Sequence, residues 1–286
     1  MPRVLTLLAA SAVAAATLFA EPVLPNRPDS VKFAVIGDTG TGSQAQYDIA
    51  RQMERFRGTF PFGLVIMVGD NLYEGNNRND LRRTFEQPYG RLLQAGVRFQ
   101  ASLGNHDPPD SRFYKHFNMN GERYYTYARK NVRFFVIDTN LLDDAQLRWL
   151  EDSLARAEEE WKICYFHHAI YSSAGRHGSA VDLRVRLEPL FVKHGVSVVF
   201  AGHDHVYERT KPQKGVHYFV VGSAGKLREG DLEQTGLTAA GFDRDHVFLL
   251  AEIAEAEMHF QAISRTGQTV DAGVLKRRPT PEEATK

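Results

Sequence analysis

Five apolar segments of strand length end in a polar cluster, and this repeated pattern limits the fold more than any other feature of the chain. They are VKFAVIG at 31–37, FGLVIMVG at 62–69, VRFQASLG at 97–104, WKICYFHH at 161–168 and VSVVFAG at 196–202. Strands that are apolar throughout are typical of parallel sheets, because helices cover both faces of such sheets. The pattern therefore predicts an α/β protein with a largely buried sheet.

The segments around these strands indicate how many layers the fold has. Helices are predicted over 43–57, about 143–159 and 180–194, and a hairpin over 123–138. Later strands are expected over 216–222, 246–254 and 257–264, the last two pairing as an antiparallel edge. We predict one domain over 31–265, with two packed sheets flanked by helices in four layers (α/β/β/α), and a disordered polar tail over 277–286.

The charge balance excludes two classes of function. Lys and Arg together number 35, as do Asp and Glu, so the formal net charge is zero. A nucleic-acid-binding protein normally carries a basic excess, and electrostatic attraction to an anionic membrane needs one as well. We therefore expect neither kind of partner.

Residues 1–20 are typical of a secretory signal. Arg3 is followed by an apolar, alanine-rich run with no charged residue before Glu21. The run is short for a membrane-spanning helix, although a retained anchor stays the alternative. We expect an exported protein, cleaved after Ala16 or Ala20, with no stable membrane association after cleavage. The single cysteine, Cys164, excludes an intrachain disulfide.

Polar side chains follow the five strands at their carboxyl ends, where α/β sheets bind ligands. Glycines at these ends allow the backbone to turn sharply and bring a side chain to the rim. Two carboxylates, a phenol, an amide and three histidines form a donor set that suits Fe, Mn or Zn, and seven donors are enough for two ions that share a bridge. The candidate metal ligands are Asp38, Asp70, Tyr73, Asn105, His167, His203 and His205.

Two residues beside these candidates are expected to support them. His168 is predicted to lie behind the ligands, because neighbours on a strand point to opposite faces of the sheet. Asp204 is predicted to orient a histidine ligand. The remaining histidines outside the clusters are expected to be structural.

The order and spacing of the clusters resemble those of the calcineurin-like metallophosphoesterases, and specifically the small, tartrate-resistant type of purple acid phosphatase. The resemblance covers about residues 31–265. Tyr73 is the discriminating residue, and related phosphodiesterases and protein phosphatases typically carry a histidine at the position of Gly40. The resemblance implies the metallophosphoesterase fold, a β-sandwich flanked by helices.

The resemblance also implies a role for each candidate residue. A ferric ion would be held by Asp38, Tyr73 and His205. A second, divalent ion (Fe, Zn or Mn) would be held by Asn105, His167 and His203, and Asp70 would bridge the two ions. The catalytic residues facing the substrate would be His106 and His177, with Asp107 as a further candidate to assist His106.

The function implied is hydrolysis of phosphate monoesters by an exported acid phosphatase with a binuclear metal centre. A metal-bound hydroxide would attack phosphorus in line, and His106 would protonate the leaving alkoxide. The expected partners are small phosphate esters, and the chain is expected to be a monomer. Two alternatives stay open: a Mn or Zn phosphodiesterase of the same superfamily, and a phosphate-binding module without activity.

Overall fold

Two β-sheets form the centre of the structure, a computed structural model that describes residues 24–73, 75 and 77–279. The predicted signal segment and residues 280–286 of the predicted tail lie outside the described residues. The strands of the described part are, in chain order, β1 Val31–Ile36, β2 Leu64–Val68, β3 Arg98–Ser102, β4 Tyr125–Arg129, β5 Val132–Val136, β6 Trp161–His168, β7 Val198–Gly202, β8 Tyr207–Thr210, β9 His217–Val221, β10 Thr238–Phe242, β11 Val247–Ala254, β12 Glu257–Ser264 and β13 Thr269–Lys276.

The helices of the described part are α1 Gln44–Arg57, α2 Arg78–Leu81, α3 Gly90–Gln94, α4 Asp144–Arg156 and α5 Val181–Lys193. A π-helical turn follows α2 over Arg82–Glu86, and short 3₁₀ turns span Pro109–Phe113 and Lys115–Phe117. The Ser43 side chain caps α1 by accepting a hydrogen bond from the Gln46 amide. Asp143 caps α4 in the same way, through the Gln146 amide.

The first sheet is parallel at one edge and antiparallel at the other, whereas the second has a parallel centre and antiparallel margins. The first sheet has the strand order β13-β12-β11-β1-β2-β3, and the second has the order β10-β8-β9-β7-β6-β5-β4. Strands β1, β2 and β3 run parallel to one another, and so do β5, β6, β7 and β9. The carboxyl ends of the motif-bearing strands therefore gather at one edge of each sheet.

The core lies between the two sheets and under the helices that cover them. Between the sheets, the Phe33 ring meets Phe134 and Phe200 at centroid distances of 5.6 and 6.1 Å in edge-on contacts. Ile49 and Met53 of α1 are buried in the core on the outer face of the first sheet. Leu150 of α4 and other residues of α4 and α5 are buried over the second sheet. The α/β/β/α arrangement predicted from the sequence is confirmed.

The sheets extend further than the sequence pattern indicated. β11 and β12 pair antiparallel, as predicted, but β11 also pairs with β1, and β13 forms the edge beyond residue 265. The amide of Arg277 donates to Ala256 O at 3.0 Å, and that of Arg278 donates to Ser197 Oγ at 3.1 Å. The start of the predicted disordered tail is therefore bound to the folded body, which differs from the boundary read from the sequence.

Candidate metal centre

Three candidate ligands occupy backbone conformations that amino acids other than glycine rarely adopt. Asp38, Asp70 and His203 have φ angles of 54°, 51° and 72°, and each directly follows a glycine. Such left-handed conformations are strained for a residue with a Cβ atom and cluster at functional sites. The chain therefore turns sharply after β1, β2 and β7, and each turn directs a polar side chain to the same edge.

The first group of donors, here called the carboxylate half, contains Asp38, Asp70, Tyr73 and His205. The Tyr73 hydroxyl donates to Asp38 Oδ1 at 3.3 Å and lies 3.4 Å from His205 Nε2. His205 Nε2 is 3.5 Å from Asp38 Oδ1, and donor atoms of Asp38, Asp70 and His205 all lie within 4.8 Å of one another. Both carboxylates are buried. The structure thus brings all four predicted residues together.

The second group, the imidazole half, contains Asn105, His167, His168 and His203. His167 Nδ1 lies 3.0 Å from the carbonyl oxygen of Val68 and donates to it, which leaves a lone pair on Nε2. That lone pair faces Asn105 Oδ1 at 2.9 Å, His203 Nδ1 at 3.2 Å and Asp70 Oδ1 at 3.3 Å. Asp70 is therefore the residue that adjoins both halves.

The electrostatics of the cluster fit a bound cation. Burial and the neighbouring Asp70 raise the pKa of Asp38 well above its usual range. Burial and then adjacent imidazoles lower the pKa of His203 to about 2, and burial lowers that of His205 to about 4. Neutral imidazoles are the form that binds metals, and electron pairs that face one another repel unless a cation lies among them.

The chemistry of the donors matches the metals that the sequence suggested. Oxygen and nitrogen donors suit iron, zinc or manganese, and the thiol of Cys164 is buried within β6 rather than offered to the cluster. Burial and the two aspartates raise the pKa of Tyr73, so the phenol keeps its proton unless a cation binds beside it. The residues present therefore fit two ions, one in each half.

Both predicted catalytic histidines lie at the mouth of the cluster and are exposed. The His106 ring is 4.8 Å from the Tyr73 ring, beside the carboxylate half, and the His106 amide donates to Asp70 Oδ1 at 3.0 Å. The His177 ring is 4.1 Å from the His203 ring, beside the imidazole half. The two histidines thus approach the centre from different sides.

His168 lies closer to the ligands than the alternation of strand residues predicted. Its ring is 4.4 Å from that of His203, and His167, His168 and His203 have nitrogen atoms within 4.8 Å of one another. The pairing of β6 with β7 shifts register between Tyr165 and His168, which ends the regular alternation. His168 packs on the predicted ligand His203, and its role as a supporting rather than a ligating residue stays a prediction.

The two aspartates that follow ligands in the sequence hold loops in place. Asp107 is buried and accepts hydrogen bonds from the amides of Leu72 and Gly104 and from the Asn71 side chain, each at 2.8 Å. Asp204 Oδ1 accepts a long bond of 3.4 Å from the Gly178 amide, in the loop that carries His177. Neither contact is with a catalytic or ligand side chain, so both residues differ from their predicted roles.

Gly40 explains why a tyrosine completes the carboxylate half. A Cβ atom at Gly40 would lie 2.1 Å from Asn71 O, so this position has no space for a histidine. The Gly40 amide donates to Asp70 O, and the Tyr73 amide donates to Gly40 O. The close backbone contact thus fixes the loop that presents Tyr73.

Two cations near the centre were missed by the sequence analysis. Lys226 and Arg228 follow β9, whose sequence is also an apolar run that ends in a glycine, Gly222. The Lys226 Nζ atom is 4.3 Å from the centroid of the Tyr73 ring. The signal that could have identified them is this fifth strand that ends in a glycine, which runs parallel to β7.

Comparisons with known proteins agree with the fold and the motifs. Residues 31–207 match the sequence profile of the family described as calcineurin-like phosphoesterase. The chain is 27% identical over 303 residues to rat tartrate-resistant acid phosphatase type 5, with 88% of this chain and 92% of the relative covered. It is 30% identical over 240 residues to Arabidopsis purple acid phosphatase 17, with 71% of each covered.

A solved structure supports the same fold. Purple acid phosphatase PPD1 from yellow lupin seeds superposes with a TM-score of 0.74 at 18% identity, over 92% of this chain and 56% of the lupin chain. The resemblance read from the five clusters is confirmed by these relatives. From its profile match, its relatives and its fold, this chain belongs to the calcineurin-like phosphoesterase family.

Proposed function

We propose that this protein is an exported acid phosphatase that hydrolyses small phosphate monoesters at a binuclear centre of Fe(III) and a divalent ion. Its family membership makes it an enzyme that hydrolyses phosphate esters. The observation that carries the finer proposal is the contact of the Tyr73 hydroxyl with Asp38 and His205, in a site without thiolates.

The proposed ligands divide between the two ions. Fe(III) is assigned to Asp38, Tyr73 and His205, because a phenolate and a carboxylate are hard, anionic donors. The divalent ion (Fe, Zn or Mn) is assigned to Asn105, His167 and His203, and Asp70 bridges both. When bound, the ions would lower the pKa of a water molecule and neutralise charge on the phosphoryl oxygens.

The chain's own residues supply orientation and protons in this proposal. Asp107 holds the loop from Asp70 to Tyr73 in place through buried hydrogen bonds, so the donors need little rearrangement. His106, exposed beside Tyr73, donates a proton to the oxygen of the leaving alcohol. His177 contributes a second imidazole on the opposite half, where it can hydrogen-bond a substrate oxygen.

Export is the part of the proposal that rests on the sequence alone. Residues 1–20 have the composition of a cleaved signal. Within residues 24–279, apart from positions 74 and 76, no helix has the length and apolar character needed to cross a membrane. Mass spectrometry of protein recovered from outside the producing cell should find a new N-terminus after Ala16 or Ala20, whereas an intact N-terminus would contradict export by cleavage.

The decisive experiment combines turnover, metal content and colour. Purified protein is expected to hydrolyse p-nitrophenyl phosphate, to contain about two metal ions by elemental analysis, and to show a visible band from charge transfer between tyrosinate and iron. Tyr73→Phe should remove the band, and Tyr124→Phe, whose ring packs on Trp149 instead, should keep it.

The outcomes separate this proposal from its alternatives. A colourless, active enzyme that holds Mn or Zn and prefers diesters would point to the divalent-metal phosphodiesterase. Full metal loading with tight phosphate binding and no turnover at any pH would point to the binding module. A visible band that survives Tyr73→Phe would refute the assignment of Tyr73 as an iron ligand.

A further inference from the structure

We propose that Lys226 and Arg228 form a second anion-binding subsite, which recognises an anionic group on the alcohol part of the substrate. The inference rests on the proposed function, because it names the class of ester that the same centre prefers. That class is phosphate monoesters whose leaving group carries a carboxylate or another negative charge close to the scissile phosphate.

The loop that carries both cations is fixed directly to the metal centre. The Lys226 amide donates to Asp38 O at 2.9 Å, and the Ala224 amide donates to Gly37 O at 3.3 Å. A Cβ atom at Gly225 would lie 2.4 Å from Thr39 O, so the two backbones pack with no room for a side chain. The position of Lys226 is therefore tied to that of the Asp38 ligand.

The Lys226 ammonium group has no ion-pair partner among the described residues. It lies over the Tyr73 ring, 4.3 Å from its centroid. In the described part of the chain, no carboxylate forms an ion pair with Lys226 within 4.0 Å, although the centre itself is rich in carboxylates. An ammonium held at this rim is available to a second negative charge on a ligand bound at the centre.

Arg228 adds a second cation next to Lys226. Its amide donates to His205 O at 3.0 Å, which places it beside a proposed ligand. Its Nη1 atom forms a long ion pair of 4.0 Å with Asp231 Oδ2, and neither atom has a hydrogen-bond partner among the described residues. The guanidinium group therefore keeps an unused hydrogen-bond donor beside the centre.

Contacts between two loops place this cationic side next to His177. The Gly175 amide donates to Asp231 O at 2.7 Å, and Ala174 pairs with Leu232 as an isolated bridge. Because Arg228 bonds to His205 O through its amide and lies 4.0 Å from Asp231, it adjoins the loops that carry His205 and His177.

The opposite side of the opening, lined by Asn105, differs in the charged groups that it offers to a ligand. A cavity of about 580 Å³ is lined there by Asn105, Asp107, Arg123, Asp138 and other polar residues. Arg123 is already paired with Asp138 at 3.2 Å and Asp143 at 3.1 Å. Among the described residues lining that cavity, no other lysine or arginine occurs, so an anionic leaving group is attracted to the Lys226 side.

The test compares isosteric substrates that differ only in charge. The probes are the 3- and 4-carboxyphenyl phosphates and the corresponding carbamoylphenyl phosphates. In the wild-type protein, kcat/KM is expected to be higher for the carboxylates. Lys226→Met should lower the carboxylate-to-amide ratio about five- to tenfold, and Lys226→Arg should restore most of it. Lys276→Met, at the end of edge strand β13, should leave the ratio unchanged.

A binding measurement separates this inference from the proposed function. Calorimetry with 3-phosphonopropionate and its amide, neither of which is hydrolysed, should show the same charge preference and its loss in Lys226→Met. Equal ratios for the wild-type and Lys226→Met proteins would overturn the subsite, even if both esters are hydrolysed. If no ester is hydrolysed, the proposed function fails, and the calorimetric ratio alone then decides the subsite.

Discussion

The two halves of the metal centre differ in charge, although they lie side by side. The carboxylate half has two buried aspartates, a phenol and one histidine, whereas the imidazole half has three neutral histidines and an amide. A cation of high charge is stabilised by anionic oxygen donors, and a divalent, softer ion is well served by neutral nitrogen donors. This difference in charge supports the proposal that the site holds two unlike ions.

The backbone does not follow the same division, because each half takes donors from both sheets. Loops after strands of the first sheet supply Asp38, Asp70 and Asn105, and the second sheet supplies His167, His203 and His205. Several contacts join the sheets at this edge: the Lys226 amide, after β9, donates to Asp38 O, and a Cβ atom at Gly202 would lie 2.4 Å from Asp38 Oδ2. Both halves therefore depend on how the sheets pack here, and substitutions of single residues are needed to tell the halves apart.

The largest effect is expected where the halves meet. Asp70→Asn removes the carboxylate that adjoins both, and we expect kcat to fall by about a thousandfold, the scale seen when one group that stabilises transition-state charge is lost. Elemental analysis should show less than two ions bound. Asp152→Asn, on the exposed face of α4, is the control. Full activity and metal content in Asp70→Asn would show that the halves work independently.

A smaller effect is expected from a change confined to the imidazole half. His168→Asn removes a ring that packs on His203 and contacts Thr139 Oγ1 at 2.9 Å. We expect the affinity for the divalent ion to fall about 10- to 100-fold, as when a group supporting a metal ligand is lost. The visible band of the ferric half should stay. The affinity is measured by competition with a chelator. Loss of the visible band in this variant would contradict the assignment of the two ions to separate halves.

The smallest effect is expected from a change behind the carboxylate half. Gly40→Ala forces a methyl group against Asn71 O, and we expect the free energy of unfolding to fall by about 1–3 kcal/mol, as for overpacking. Because the loop presents Tyr73, the band should also shift. Gly63→Ala, where a Cβ atom meets nothing within 4 Å, is the matched control. Urea denaturation checks the result, and equal stability of both variants would argue against the close contact.

The sequence predicted the layers and the donor set because both follow from local pattern. Apolar runs identify parallel strands, and the carboxyl ends of such strands gather at one edge whatever the loops do. β8 and β10 were missed because each is only four or five residues long and lacks an apolar run. β13 was missed because its exposed edge position leaves most of its residues only partly buried.

The parts that could not be predicted depend on contacts between distant segments. A register shift brings His168 towards His203, and no pattern within β6 encodes it. Asp107 was expected near His106, but its bonds go to a loop that is 35 residues away in the chain. Lys226 could not be predicted because its position over the Tyr73 ring depends on the packing of two loops that are distant in the sequence.

The left-handed conformations of Asp38, Asp70 and His203 cost stability at three positions that the proposed activity needs. Glycine would occupy those turns with less strain, and either glycine or asparagine would remove the buried charge from two of them. Directed evolution for heat resistance alone is expected to favour such replacements and to yield a protein that is more stable to heat but inactive. Any stabilised variant of this enzyme therefore has to be selected for turnover at the same time.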